Sequence, residues 1–233
     1  MTRTANARIA GFTFLAYIAA TIASMVIFNH AAGGESIPEK LAAISEHTAS
    51  MRVVILLAVV QAFAALVLAV TLYAVTRDQD RDLALLAMAC RLTEGVIGAF
   101  SASTTLALLW AATSSGFGAS GTSAMQALGG YLLRDDSAVG AIFFAVGSAL
   151  FAYLLLRGRL IPVALAWLGV AASILLVVGL PAQIANLINP AVASLMWLPM
   201  LAFEIPLGLW LLIKGVDTSR PRNPSLTGIT GDV

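Results

Sequence analysis

The stretch LALLAMACRLTEGVIGAFSASTTLALLWAA, residues 83–112, decides the fold of this chain. At about 1.5 Å per residue it is long enough to cross the hydrocarbon of a bilayer as a helix. It is strongly apolar except at Arg91 and Glu94. An ionisable residue near the bilayer centre costs about 2.5 to 3.5 kcal/mol on insertion scales. A membrane helix that keeps two of them therefore predicts a partner or a water-filled cavity elsewhere in the chain.

The composition places the chain among membrane proteins. Hydrophobic residues make up 60% of its 233 residues and charged residues 11%, whereas soluble proteins contain about 25% charged residues. The net charge of +1 provides no basic stripe that could bind phosphates, which argues against a nucleic-acid partner. The single cysteine, Cys90, lies in an apolar run and is expected to be a small buried hydrophobe.

Six apolar runs are long enough to span the membrane as helices. The second and third runs, and the fourth and fifth, are separated only by residues 77–82 and 157–159, which predicts tight hairpins. The sequence therefore predicts an all-α, polytopic integral membrane protein, a six-transmembrane-helix bundle over residues 1–214. A disordered cytoplasmic tail is expected over 215–233. The predicted helices are 9–28, 53–76, 83–112, 138–156, 161–180 and 191–213.

The first long connection, residues 29–51, contains both histidines, His30 and His47, beside several acids. Their spacing is not the short His-x3-His spacing typical of metal sites, so a solvated loop is expected and no metal site is predicted. Part of the connection, residues 38–50, is predicted to form a short surface helix with Ser36 as its cap.

The second long connection, residues 113–137, formally contains the glycine pattern G-x-G-x-x-G at 116–121. A dinucleotide site needs that pattern between a strand and a helix of a soluble βαβ unit, whereas here it follows a membrane helix. A flexible loop is expected instead, followed by a short surface helix at 125–133. No cofactor is predicted.

Lysine and arginine are distributed unequally between the two sides of the predicted bundle. If the N-terminus is inside, about nine of them lie on the inner side and about three on the outer side. This bias predicts a multi-pass membrane protein with cytoplasmic N- and C-termini. The inner residues are Arg3, Arg8, Arg77, Arg81, Arg157, Arg159, Lys214, Arg220 and Arg222, and the outer ones are Lys40, Arg52 and Arg134.

A third ionisable residue, Glu204, lies in the last apolar run at nearly the depth of Arg91 and Glu94, counted from the inner side at about 1.5 Å per residue. Three unpaired charges at this depth would cost roughly 8 to 10 kcal/mol, so pairing of Arg91 with both carboxylates is expected. Pro199 and Pro206 flank Glu204. Each removes a backbone hydrogen bond and leaves carbonyls that need other partners, so if the site is functional the helix is expected to be bent or interrupted there.

Two functions are open for this buried polar site of Arg91, Glu94 and Glu204. In the first, a small transporter or ligand-binding membrane protein uses it for a proton, an ion or a small molecule. In the second, the three charges only hold helices together in a structural or accessory protein. A cavity that brings water to Glu204 would favour the first function, and a dry, packed triad the second.

Catalysis is not expected from this chain. No Ser-His-Asp or di-acidic metal pattern lies at membrane depth, and both histidines lie outside the apolar runs, so no catalytic residues are predicted and the chain is not expected to be an enzyme. The lipid bilayer is the expected partner. The sequence leaves the oligomeric state open.

Three short segments are familiar: RIAG at 8–11, RLTE at 91–94 and FEIPLGLWLLIKG at 203–215. On these the chain resembles the bacterial membrane family known as domain of unknown function 4386. The likeness runs from about residue 8 to residue 215, and residues 154–162 are similar to the hairpin between the family's fourth and fifth helices. The resemblance implies a multi-helix protein of the bacterial inner membrane without an assigned activity. It supplies no site residues.

Overall fold

The structure, a computed structural model, describes residues 2–114, 123–133 and 138–216. Over these ranges the chain forms nine helices and no strand, so the predicted all-α class is confirmed. The helices are α1 (Arg3–Ala31), α2 (Ile37–Glu46), α3 (Thr48–Thr76), α4 (Arg81–Thr113), α5 (Ser123–Leu132), α6 (Ala138–Arg157), α7 (Val163–Ile184), α8 (Pro190–Leu195) and α9 (Trp197–Ile213).

Six segments are long and apolar enough to cross a membrane, as predicted, and the chain is a multi-pass membrane protein. Five of them are single helices, α1, α3, α4, α6 and α7, and the sixth, Ala191–Ile213, combines α8 and α9. Each span packs against the next span along the chain, and α9 packs back against α1. The six spans therefore form a closed ring, with the buried charges at its centre.

Several helices extend past their apolar runs. Thr2 caps α1, because its hydroxyl accepts a hydrogen bond from the Ala5 N–H at 3.2 Å. The helix thus begins at Arg3, well before the predicted residue 9. At its C-terminal end, α7 also extends past its apolar run, because it continues beyond Pro181, where the sequence predicted a connection. It ends in a turn at Asn186, whose φ of 56° is left-handed, as is common after a helix C-terminus.

The last span is interrupted, but not where the sequence predicted. The break falls at Met196, between α8 and α9, while Glu204 and Pro206 both lie inside the continuous helix α9. A proline ring collides with the carbonyl four residues before it, which for Pro199 is that of Leu195, the last residue of α8. Pro199 thus explains the break and starts α9 instead of bending it at Glu204.

The short helices α2 and α5 lie at the same end of the bundle and contact each other. A capping box starts α2: Ser36 accepts from the Glu39 N–H, as predicted, and the Glu39 carboxylate accepts from the Glu35 and Ser36 N–H groups. These backbone donors lower the pKa of Glu39. The helix is not fully exposed, since Leu41 packs in a small apolar cluster with the ends of α1, α3 and α4. The predicted helix at 125–133 is confirmed as α5.

The other end is called the basic end here, because Arg3, Arg77, Arg157 and Lys214 lie at it. The Arg3 guanidinium donates two hydrogen bonds, at 3.0 and 2.7 Å, to the Val75 carbonyl near the end of α3.

Asp80 caps α4 and forms an ion pair of 2.9 Å with Arg157. The Leu83 N–H and then Arg157 lower the pKa of Asp80. Both contacts join neighbouring helix ends.

Gly215 and Val216, the first two residues of the predicted tail, are buried against the bundle. Residues 217–233, which make up the rest of the predicted tail, lie outside the described part of the chain. The glycine pattern at 116–121 also lies outside it.

Candidate functional site

Arg91 and Glu94 lie one turn apart on α4, facing the interior of the ring. Arg91 is only 1% exposed, and its Nη1 lies 2.9 Å from Oε2 of Glu94. The i, i+3 spacing brings the two side chains to the same helix face. The predicted pairing of Arg91 with Glu94 is therefore present.

Aromatic rings complete the surroundings of Arg91. Its guanidinium carbon lies 4.8 Å from the ring centroid of Phe144 and 6.0 Å from that of Phe14. Within the described residues, none of its N–H groups is aligned with a hydrogen-bond acceptor. A space of about 10 Å³ beside it, also lined by Ser148, is about the smallest that holds a water molecule. The cation thus depends on one carboxylate and two aromatic faces.

A glycine on α6 makes room for the stem of Arg91. A Cβ atom at Gly147 would lie 3.1 Å from Cγ of Arg91 and 3.2 Å from the Ala87 carbonyl oxygen. Small residues let membrane helices approach closely. Here the approach of α6 to α4 fixes where the guanidinium lies.

Glu94 is also bound from the first span. The Tyr17 hydroxyl donates to Oε1 of Glu94 at 3.0 Å, so a chain of contacts joins α1 to α4 and Arg91. Sequence reasoning missed Tyr17. Its position was a usable signal, because a tyrosine in the middle of a span, away from the membrane interface, needs a partner for its hydroxyl.

Glu204, unlike Arg91 and Glu94, has no close polar partner in the described part of the chain. It is 5% exposed, yet within the described residues its carboxylate forms no hydrogen bond and no ion pair shorter than 4.0 Å. The predicted pairing of Arg91 with Glu204 is therefore wrong. The reason is topological, since α4 and α9 face each other across the ring without being neighbours, and Arg91 reaches the carboxylate on its own helix instead.

A cavity of about 540 Å³ opens beside Glu204, between α1, α3, α4, α6 and α9. Tyr17, Glu94 and Glu204 lie at its deep end, and Asn29 and Val54 lie on its wall near the end that carries α2. Counted along α1 from Tyr17 to Asn29, it is about 18 Å long. Asn29 is exposed, as are Ile22 and Met25 on the same wall, so the cavity reaches the surface along the half of α1 that lies away from the basic end.

Polar side chains continue along this path. The Thr21 hydroxyl donates to Oε1 of Gln61 at 3.4 Å, which joins α1 to α3. Ser101 and Thr105 lie on the facing wall from α4. The cavity therefore combines an apolar lining with a few polar groups, as small-molecule sites do.

The side chains that could in principle bind a metal ion, those of the two histidines and the cysteine, do not line the cavity. His30 and His47 face each other with ring centroids 5.5 Å apart, and neither lines it. Over the described residues, no group of three His, Cys, Asp or Glu side chains could hold a metal ion. Cys90 is buried, as expected.

Comparison with known proteins agrees with the resemblance in the sequence. The family model described as "Domain of unknown function (DUF4386)" matches residues 9–215, which include Arg91, Glu94 and Glu204. No curated protein and no solved structure matches the chain significantly. Any statement about function therefore rests on the geometry of the site.

Proposed function

The chain belongs to the DUF4386 family, which is described without a function, and we propose that it binds a small molecule in the cavity beside Glu204, as a small transporter or membrane receptor does. The proposal is for binding or transport and not for enzymatic activity. The lipid bilayer is its surroundings, and nucleic acid is not a partner.

One observation carries the proposal: a buried carboxylate that has no partner among the described residues lies on the wall of an open cavity. Burying an unpaired charge costs several kcal/mol. A purely structural clamp would pair every charge it buries, as Arg91 and Glu94 do, with the Tyr17 hydroxyl donating to Glu94. Glu204 has no such role, and its cost is explained if its partner is a ligand that enters the cavity.

The size of the cavity supports the same proposal. Small-molecule sites usually measure about 300 to 1,000 Å³, and this cavity measures about 540 Å³. A proton alone would need no such space. The second candidate function, a structural role for the charges, accounts for the Arg91 and Glu94 pair but not for the cavity.

The closed state of the basic end supports transport in particular. Below Glu204, Gly11 of α1 lies directly against the α9 backbone at Gly208 and Leu212, and Leu211 is fully buried. The bundle is thus open at one end and shut at the other, which is one of the two states that alternating access requires. Following the bias of Lys and Arg, we place the chain in the bacterial inner membrane with its basic end on the cytoplasmic side. The cavity then faces outward.

Filling the cavity tests the proposal. A Cβ atom at Gly98, on the cavity wall, would meet nothing within 4 Å, so Gly98→Phe projects a ring into the cavity and Gly98→Ala serves as its matched control. The thermal stability of the purified proteins is measured with a panel of small amines, carboxylates, sugars and neutral aromatics. A ligand at about 100 times its Kd adds about 2.7 kcal/mol to stability.

At least one class of compound should stabilise wild type and Gly98→Ala but not Gly98→Phe. If no compound distinguishes Gly98→Phe from the other two proteins, the proposal is wrong. The melting curves without ligand show whether Gly98→Phe is itself folded.

A further inference from the structure

One carboxylate on the cavity wall, that of Glu204, has no hydrogen-bond or ion-pair partner among the described residues. Its ionisable lining residues include the carboxylates Glu94 and Glu204 and no lysine, arginine or histidine from the described part of the chain. Arg91 balances Glu94 at 2.9 Å. The carboxylate that stays without a partner is that of Glu204, so the cavity as a whole is suited to a ligand with a single positive charge.

The surface around Glu204 is apolar and aromatic. Trp197, Leu201 and Glu204 are spaced i, i+4 and i+7 on α9, which puts them on one face, and all three line the cavity. The Trp197 ring lies 5.8 Å from that of Phe144 on α6. A tryptophan face attracts a cation, especially where water is excluded. A ligand at this carboxylate therefore meets an apolar wall and an aromatic face.

Other ligand charges fit less well. Ca²⁺ and Mg²⁺ take six or more oxygen ligands, whereas Glu94 is already occupied by Arg91 and the Tyr17 hydroxyl. An anion would need Arg91, which does not line the cavity. An anion would also lie against the unbalanced carboxylate, where like charges repel.

Resting on the function proposed above, we propose that the ligand is a monovalent organic cation with an apolar body, a protonated amine or a quaternary onium ion. Its charge pairs with Glu204, and its body lies against Trp197 and Leu201 along the wall of α9. Glu94 lies at the deep end of the site, and because Arg91 behind it already balances its charge, a second cation does not bind beside the first.

Two probes of the same shape and opposite charge test this directly: tetraphenylphosphonium and tetraphenylborate, with tetrapropylammonium as a smaller cation. Equilibrium binding to the purified full-length protein is measured in detergent. Wild type should bind at least one of the two cations and not tetraphenylborate. Glu204→Gln should weaken cation binding by about tenfold or more, which corresponds to about 1.4 kcal/mol.

The control variant is Glu46→Gln, which removes one carboxylate from the exposed end of α2 and should leave cation affinity unchanged. Circular dichroism and size exclusion establish that both variants fold. Equal binding of either cation to wild type and Glu204→Gln, binding of tetraphenylborate in preference, or no binding of either cation would each overturn the inference. If a neutral compound from the panel above still distinguishes Gly98→Phe from Gly98→Ala, the proposed function stands and only the charge of the ligand is wrong.

Discussion

Arg91 and Glu204 show two ways in which a membrane bundle holds a charge. Arg91 is enclosed by Glu94 and by the faces of Phe14 and Phe144, so its charge is spread over several contacts. Glu204 is buried nearly as deeply but faces a cavity instead of a partner. The first arrangement stabilises the fold, and the second keeps a charge available for a ligand.

The pairing makes a prediction at the residue scale. Arg91→Leu should lower the free energy of unfolding by about 3 to 5 kcal/mol, because it leaves the Glu94 carboxylate buried without its counter-charge. Adding Glu94→Gln should recover most of that loss. Adding Glu204→Gln instead should recover little, since Arg91 does not pair with Glu204. Chemical denaturation in detergent measures all four proteins, and recovery through Glu204→Gln in place of Glu94→Gln would contradict the assignment.

The sequence predicted which charged residues form this site, but not all of the pairings between them. Arg91 and Glu94 followed from two charges in an apolar run, and their pairing followed from the i, i+3 spacing. Glu204 followed from a charge in the last apolar run, but its pairing with Arg91 was inferred from matched depth alone. Depth does not say which helices are neighbours, so Glu204 was expected to pair with Arg91, which lies on a helix that does not pack against α9.

At the scale of the helix, glycines decide how closely the spans approach. A Cβ atom at Gly11 would lie 2.6 Å from the Gly208 carbonyl oxygen and 2.9 Å from Cα of Leu212. These are backbone atoms of α9, which cannot move aside as a flexible side chain can. The contact closes the ring between the first and last spans, and it holds the basic end shut below the cavity.

Gly11→Ala should therefore destabilise the protein by about 1 to 3 kcal/mol through overpacking. Gly98→Ala is the matched control, since its new methyl group meets nothing within 4 Å, and it should be neutral or stabilising by up to about 1 kcal/mol. Thermal melts of the two variants in the same detergent make the comparison. Equal effects would show that the contact between α1 and α9 is looser than described.

Helix existence was predictable, whereas helix ends and breaks were less so. Apolar runs of about 20 residues identify spans because the bilayer selects that length. Caps such as Thr2 extend a helix into water, where hydropathy carries no signal. The two prolines of the last span illustrate the limit: Pro199 breaks the helix a few residues before its own position, and Pro206 lies within α9 without breaking it.

At the scale of the whole molecule, the ring and its cavity were not predictable from the sequence. The short hairpins place α3 beside α4 and α6 beside α7, but nothing in the hydropathy profile closes α9 against α1. The cavity arises because α1 and α9 meet near the basic end, at Gly11 and Gly208, while the opposite halves of five helices line an open space. Orientation in the membrane stays a prediction from the distribution of Lys and Arg.

The central claim is that water and small solutes reach Glu204 from the end opposite the basic end. The most direct test is labelling of Glu204→Cys, in a Cys90→Ala background, by a membrane-impermeant trimethylammonium methanethiosulfonate added to intact cells that express the protein. Two cysteine variants in the same background serve as the positive and negative controls. Glu46→Cys on exposed α2 should label, and Leu211→Cys, on the same helix as Glu204 but fully buried, should not.

The account predicts that Glu204→Cys is labelled in intact cells while Leu211→Cys is not. Labelling of Glu204→Cys and Glu46→Cys only after the membrane is permeabilised would reverse the orientation and leave the cavity in place. If Glu204→Cys stays unlabelled in both intact and permeabilised cells while Glu46→Cys reacts, the site is sealed, and the claim that Glu204 serves a ligand is contradicted.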